Sequence, residues 1–340
     1  MSYDPAATRP LGRRGLRVSQ FGVGTAAFGA IDAAATDASA AATFAAQFGA
    51  GLRYFDTAPL YGLGLAEHRL GACLRGVDRR ELVISTKVGR LMRPVTGGAA
   101  AGTSAGRYVF EVEFDYSYGG VLRSIDCSLQ RLGSNAIDIA LIHDVNRRWQ
   151  GDLVEQRYRE VMDGGYRALV ELRDAGVIKA IGVGVNDWEI LLRFAADGDF
   201  DCFMLAGRYT LLDHTAIERF MPDCERRGIS VLMAAPFNSG ILATGTTPGA
   251  TFFYTAAEPE VVDRTQRIAG ICARHAVALP AAALQFPLAH PAVASVVAGM
   301  RSADEVAANL AHLRAPIPAA MWQELVAAQL ISPLAPVPAA

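Results

Sequence analysis

Eight short apolar runs recur along the chain, near residues 20–25, 53–56, 82–87, 137–143, 180–185, 202–206, 230–235 and 293–298. A strand with one wet face alternates apolar and polar residues, so a run that stays apolar through its middle predicts a strand covered on both faces. The stretches between the runs carry apolar positions at helical spacing. Thr36-Asp37 predicts the cap of an Ala-rich helix that stops near Gly49, residues 115–132 read as a helix ending before Gly133, and Asp187 opens a helix that ends near Gly198. Strands joined by helical crossovers predict an α/β fold, a closed parallel (β/α)8 TIM barrel, with residues 1–340 as a single domain. Residues 9–18 read as an N-terminal hairpin closing the bottom of the barrel, and the Pro- and Ala-rich residues 331–340 as a loose C-terminal tail.

The composition agrees with this picture and removes several classes of function. A chain of 340 residues, 51% hydrophobic and 19% charged, can bury a large core. Its net charge of -2 implies neither a nucleic acid nor an anionic membrane as partner, and nothing in the sequence sets an oligomeric state. Cys73, Cys127, Cys202, Cys224 and Cys272 are odd in number and never in a C-x-x-C pair, which points to a reducing, cytoplasmic setting. The first residues lack a basic region followed by an apolar core, and no run reaches the roughly 18 apolar residues a membrane span needs. His and Cys pairs with metal-ligand spacing, a Ser-centred nucleophile elbow and a G-x-x-x-x-G-K-[ST] loop are all missing, so no metal is expected.

Reactive side chains gather instead at the ends of three successive predicted strands. Tyr54-Phe55-Asp56-Thr57-Ala58-Pro59-Leu60-Tyr61-Gly62 places an acid, Asp56, and a phenol, Tyr61, where a buried strand meets a loop; Lys87 closes the next run and His143 the one after. A free phenol has a pKa of about 10, and a nearby ammonium lowers it. Lys87 supplies such a charge, Asp56 holds Lys87 in place, and His143 shares the substrate oxygen whose proton Tyr61 moves. Taken singly, a turn Tyr, a strand-end Lys and a lone His after an apolar run each read as packing or as a snorkelling side chain. Together and in order they read as an active site.

On these four residues the chain resembles the aldo-keto reductase superfamily, whose members carry an Asp, Tyr, Lys, His tetrad on a TIM barrel. The resemblance spans nearly the whole chain and includes Gly22-Val23-Gly24-Thr25, Gly182-Val183-Gly184-Val185-Asn186, residues 236–245 and residues 299–309. The wording FDTAPLYGLGLAEHRLG and GRYTLLDH is most similar to the aldose 1-dehydrogenase branch, which includes L-fucose, D-threo-aldose and pyridoxal dehydrogenases. No G-x-G-x-x-G follows the first strand, so a Rossmann site is disfavoured. What the resemblance implies is a nicotinamide lying across the barrel mouth. Asn186 would hold its carboxamide, the backbone around Pro236, Phe237, Asn238, Ser239, Gly240 and Leu242 would wrap the pyrophosphate, and Asn309 the adenine. Gly24, Thr25, Gly299, Met300 and Arg301 complete the implied cofactor site.

Relatives that prefer NADP place a basic residue about four positions before the closing Asn, to pair with the 2′-phosphate. Here that position is Glu305, which implies NAD; Arg301 pulls toward NADP, which stays possible. Many members also carry a glutamine on strand six and an aromatic ending strand seven. This chain reads Leu205-Ala206-Gly207-Arg208-Tyr209 and Met233-Ala234-Ala235-Pro236, leaving Tyr209 or Phe237 to supply the ring that stacks on nicotinamide. The implied reaction is NAD-dependent oxidation of the anomeric hydroxyl of an aldose of the L-fucose, L-galactose or D-arabinose type to a lactone, with Phe28, Tyr61, His143, Asp144 and Trp149 at the substrate mouth. Alternatives are oxidation of pyridoxal, general aldehyde or ketone reduction, and, from another class, a nicotinamide-binding regulatory subunit. Three long connections, residues 89–114 with the low-complexity run 96–106, residues 144–156 and residues 245–257, read as candidate lids over this mouth.

Overall fold

A computed structural model describes residues 3–29, 35–95 and 110–338. An antiparallel hairpin, β1 (Thr8–Leu11) and β2 (Leu16–Ser19), precedes β3 (Phe21–Gly24), β4 (Tyr54–Asp56) and β5 (Val83–Val88). A second hairpin, β6 (Arg90–Pro94) and β7 (Phe110–Phe114), leads to β8 (Ile139–His143), β9 (Ala180–Val185), β10 (Cys202–Ala206) and β11 (Ser230–Ala234). A two-residue pair, β12 (Thr251–Phe252) and β13 (Thr255–Ala256), comes before β14 (Val293–Gly299). Strands β3, β4, β5, β8, β9, β10, β11 and β14 form a closed parallel barrel, and the register of Val296 on Phe21 through Gly299 on Gly24 closes it. Each lies within two residues of the apolar run that predicted it.

The closure is a consequence of where the apolar atoms go. One set of buried residues, among them Tyr54, Leu141, Met204 and Leu232, fills the barrel interior together with Leu11 and Val18 from the first hairpin. A larger set lies between the strands and the helices outside them. Burial on both faces is what a continuous apolar run requires, and removing such side chains from water supplies the main drive for folding. The Tyr54 ring needs room inside a narrow barrel. A Cβ on Gly22 would stand 2.6 Å from Tyr54 Cδ1, so only glycine fits there.

The helix ends follow local chemistry, with two departures from expectation. Thr36 caps Asp37–Gly49 through a reciprocal bond with Ser39, as anticipated. The helix expected from residue 115 begins later, as Tyr118–Leu132, because Asp115 Oδ1 accepts from both the backbone and the hydroxyl of Ser117 and holds a turn, while Ser117 caps the helix. Asp187 precedes Trp188–Asp197, as expected, although its side chain makes no capping bond.

The C-terminal segment is docked and not loose. Leu330, Ile331 and Ala335 are buried, Ser332 N donates to His214 Nε2 at 3.0 Å, and Arg264 donates to the Leu330 carbonyl at 2.6 Å. Apolar residues inside the Pro- and Ala-rich stretch find a groove that composition did not reveal. Of the candidate lids, residues 144–156 contain a helix, Arg147–Gln150, capped by Asn146, and residues 245–257 contain the β12–β13 hairpin. The low-complexity run 96–106 lies outside the described residues. Among the described residues no single helix is long and apolar enough to cross a membrane.

Candidate active site

The two-residue period of a strand decides which side chains of β5 meet the barrel axis. Ser85 and Lys87 point inward and Thr86 outward. Ser85 Oγ donates to Asp56 Oδ1 at 2.6 Å and Lys87 Nζ to Asp56 Oδ2 at 2.7 Å, while Thr86 donates to Glu67 in the helix layer. Lys87 Nζ also donates to the Thr57 carbonyl at 3.0 Å and stands 4.8 Å from the centre of the Tyr61 ring. The Tyr61 ring meets the His143 imidazole edge to face at 6.5 Å between centres. Gly62 makes the turn after Tyr61: its φ is +62°, and a Cβ there would stand 2.1 Å from the Gly29 carbonyl oxygen. The four residues expected to form a tetrad are therefore brought together. Ser85, which orients Asp56, was missed; its place two residues before Lys87 on one strand was the available signal.

The electrostatics depart from expectation at Tyr61. Its phenol is pushed up to about 12, because burial opposes the phenolate more than the Lys87 charge favours it, with Asp56 adding to the upward push. Lys87 acts in the expected direction, but it limits a rise and does not produce a fall. Burial works against the Lys87 ammonium, yet Asp56 and Tyr61 outweigh it and the group is held above its ordinary range. His143 is driven well below its ordinary range by burial, then by Arg90 and Lys87, so its imidazole is neutral at pH 7. A protonated Tyr61 beside a neutral His143 and a charged Lys87 can donate a proton to a carbonyl oxygen, or take one from a hydroxyl as the pH rises.

Beside His143 the chain places a second ion pair. Asp144 lies 3.2 Å from His143 Nε2 through Oδ2 and accepts a 2.5 Å hydrogen bond from Arg90 there. Its backbone is left-handed, with φ of +54°, and its carboxyl is pushed up to about 6 by burial against the opposing pull of Arg90 and Lys87. The Arg90 guanidinium is buried between Phe114 and Trp149, 5.0 and 4.7 Å from the ring centres. Trp149 is 46% exposed and so stands at the rim, as expected for a mouth residue. Phe28 does not: its ring is buried among core side chains, and its carbonyl accepts from Arg69 at 2.6 Å. Arg90 was not anticipated, since its partner stands 54 positions away.

On the other side of the mouth, Asn186 leaves the end of β9. Its Oδ1 accepts from Asn146 at 2.9 Å and its carbonyl from Arg208 at 3.2 Å, beside a cleft of about 470 Å³ walled by Asn146, Asn186, Arg208 and Thr215. A slot between the ends of β9, β10 and β11 is lined by Asn186, Ala206, Gly207, Ala235, Ser239 and Phe253. Ala206, Gly207 and Ala235 are small, but Phe253 and Tyr254 close over them and the free volume is about 20 Å³.

Tyr209 does not reach this slot. It is fully buried and stacks on Phe286 at 5.3 Å, on the helix side of the barrel wall. Phe237 is partly buried against the core. Phe253, at the tip of the β12–β13 hairpin, lines the slot instead and carries the Arg208 guanidinium 3.7 Å from its ring centre. The run Phe252-Phe253-Tyr254 inside an otherwise polar loop was the overlooked signal.

The loop after β11 has a left-handed backbone at Ala235, Asn238, Ser239 and Gly240. Asn238 turns inward, accepting from Thr210 at 2.5 Å and donating to the Gly207 carbonyl at 3.0 Å, so it shapes the loop with its side chain. Pro236 and Leu242 are buried, while Ser239 accepts from Tyr254 N at 3.0 Å and ties the hairpin to the loop. Thr25 spends its hydroxyl on the Asp56 carbonyl at 3.0 Å. Gly24 and Gly299 are register partners at the top of the barrel, and the Met300 side chain is buried, leaving only its backbone for a ligand. Arg301 and Glu305 face one another: Glu305 accepts from Arg301 N at 2.8 Å and from its Nε at 3.0 Å. Asn309 is nearly buried on the following helix, Ala303–Arg314.

This geometry has counterparts. The 43% of positions identical over 344 residues to pyridoxal 4-dehydrogenase of Microbacterium luteolum cover 98% of this chain and 100% of that relative. D-threo-aldose 1-dehydrogenase of a Pseudomonas species is 39% identical over 337 residues, covering 97% of this chain and 98% of the relative. Among solved structures, an aldo-keto reductase from Bacillus halodurans in its holo form superposes with a TM-score of 0.73 at 25% identity over 96% of each chain. The sequence profile of the aldo/keto reductase family matches residues 20–329. With that match over a closed parallel barrel, the chain belongs to the aldo/keto reductase family and is an NAD(P)-dependent oxidoreductase.

Proposed function

We propose that the protein oxidises the anomeric hydroxyl of an aldose of the L-fucose, L-galactose or D-arabinose type to the lactone, with NAD as the acceptor. The observation that carries the sugar reading is the polar mouth: Asp144 and Arg90 stand beside His143, where a polyol needs hydrogen-bond partners and a flat apolar slot would offer few. Tyr61 and His143 would hold the oxygen on the reacting carbon. Tyr61, as the phenolate, takes the hydroxyl proton on Oη as the C1–O bond gains double-bond character, Lys87 stabilises the negative charge the phenolate carries before that transfer, and Asp56 with Ser85 keeps Lys87 in place. A bound nicotinamide supplies the acceptor for the hydride that leaves C1.

Ala206, Gly207 and Ala235 offer that group small side chains and Asn186 a carboxamide at the edge, but the free space is about 20 Å³, so Phe253 and Tyr254 would have to move aside for it. Gly240, with φ of +107°, and the left-handed residues before it would offer backbone N–H groups to a pyrophosphate. For the choice of NAD, Glu305 spends both carboxylate oxygens on Arg301, so the cation that would favour a 2′-phosphate is already countered.

Oxidation of pyridoxal is the second reading, favoured by the 43% identical relative and by the aromatic pair, Phe114 and Trp149, at the mouth. A panel of these aldoses and pyridoxal, assayed with NAD and with NADP while reduced-cofactor absorbance is followed, tests both. NAD-linked turnover of pyridoxal with none of any aldose would overturn the sugar reading.

A further inference from the structure

We propose that Arg90 and Asp144 form a recognition site for a second substrate oxygen, so that the protein selects compounds carrying a hydroxyl within hydrogen-bonding distance of the oxygen on the reacting carbon. The inference rests on the reading that Tyr61 and His143 hold that reacting oxygen. Three observations carry it.

The first is spacing. His143 Nε2 and Asp144 Oδ2 are 3.2 Å apart. Oxygens on neighbouring carbons of a sugar in the gauche arrangement lie about 2.8 Å apart, near an ordinary hydrogen-bond length. An anomeric hydroxyl on His143 thus brings the 2-hydroxyl to the Asp144 carboxylate. Pyridoxal brings two oxygens as near, because its ring hydroxyl lies ortho to the ring carbon that bears the reacting carbon. The two substrate classes considered above, unlike in ring and polarity, share this pair of oxygens.

The second is the incomplete pairing of the two residues. Both contacts to the Asp144 side chain fall on Oδ2, and among the described residues no donor reaches Oδ1. Arg90 Nε is buried and has no hydrogen-bond partner among them. Because Arg90 is buried, its part in the site is to hold the Asp144 carboxylate in place through its other N–H, while Asp144 meets the substrate oxygen. The third is backbone strain. Asp144 adopts a left-handed φ of +54°, a conformation that persists in a non-glycine residue where surrounding structure enforces it and that gathers at functional sites.

A site built around a substrate hydroxyl rejects the analogue without it, because the protein groups are then left unpaired. The test compares each aldose with its 2-deoxy counterpart, and pyridoxal with its 3-deoxy counterpart, in the wild type and in Asp144→Asn and Arg90→Met. In the wild type the deoxy compound is expected to lose at least about 100-fold in kcat/KM. In Asp144→Asn, which keeps the shape and tolerates the left-handed backbone, that ratio should shrink to within about tenfold while the NAD dissociation constant stays unchanged. Calorimetric titration of the NAD-loaded Tyr61→Phe protein with parent and deoxy compounds reads binding without turnover, and Arg90→Met added to it should weaken only the parent compound. Equal affinity for parent and deoxy forms, absence of binding by both included, overturns the proposal. So does an Asp144→Asn protein that loses activity on both forms alike. Dependence on the 3-hydroxyl of pyridoxal with no aldose oxidised would remove the sugar reading and leave this site standing.

Discussion

The two ends of the barrel use the same chemistry, a carboxylate buried against cations, to opposite effect. At the bottom, Asp138 accepts from Arg79 at 2.6 Å and from Ile84 N at 2.8 Å through Oδ2, and pairs with Lys179 at 2.8 Å through Oδ1. Asp201 likewise accepts from Arg173 and from Ile181 N, each at 2.9 Å, with Arg14 at 3.4 Å on its other oxygen. Both carboxylates are saturated and tied to the backbone of the neighbouring strand.

At the top, Asp144 Oδ1 receives no donor among the described residues, and the left-handed non-glycine residues Asp144, Ala235, Asn238, Ser239, Phe253 and Tyr254 cluster around the mouth. Buried guanidinium Nε atoms lack hydrogen-bond partners among the described residues at both ends, Arg79 and Arg173 below as well as Arg90 above, so what distinguishes the top is the open carboxylate oxygen and the left-handed backbone. An ion pair is informative less by its presence than by what remains unpaired around it.

The strongest way to break this contrast is at the top. Tyr61→Phe removes the hydroxyl proposed to transfer the proton and keeps the ring, so kcat should fall by about 10² to 10⁴-fold with the melting temperature and NAD affinity nearly unchanged. Near-normal turnover in the folded variant would move the proton transfer elsewhere. At the bottom, Asp201→Ala leaves Arg173 and the Ile181 amide buried without their acceptor. Stability should drop by about 3–5 kcal/mol in urea titration, while kcat per folded molecule holds. An unchanged midpoint would make the two ends equivalent.

The pH dependence sharpens the top end further. Burial pushes the Tyr61 phenol up and Lys87 opposes that push, so Lys87→Met should move it higher still. Oxidation needs the deprotonated phenol, and its rate therefore rises with pH in the native protein; in the variant the rise should begin at higher pH, with a lower rate at any fixed pH below it. A pH–rate profile that keeps its position would mean that another group sets the Tyr61 proton affinity. The smallest effect is expected at the rim. The native protein should prefer NAD by about tenfold or more in kcat/KM, roughly 1.4 kcal/mol, and Glu305→Gln should narrow the gap by releasing Arg301. Equal use of both cofactors by the native protein would remove the NAD assignment.

What the sequence determined by itself is the barrel and the four residues at its strand ends. A strand buried on both faces must be apolar throughout, so eight such runs specify eight barrel strands, and residues at their ends are delivered to one rim by the parallel arrangement. Asp56, Lys87 and His143 were legible because strand position alone brings them together. The other properties depend on which distant groups close around a residue. The pairing of Arg90 with Asp144 spans 54 positions, and Phe253 reaches the slot from a hairpin beyond β11 while Tyr209, nearer in sequence, turns into the helix layer. The docking of residues 330–335 depends on a groove that only the packed helices form. The upward push on Tyr61 has the same origin: Lys87 was visible as a neighbour, but the loss of water that outweighs it is a property of the enclosure and exists only once the chain has folded.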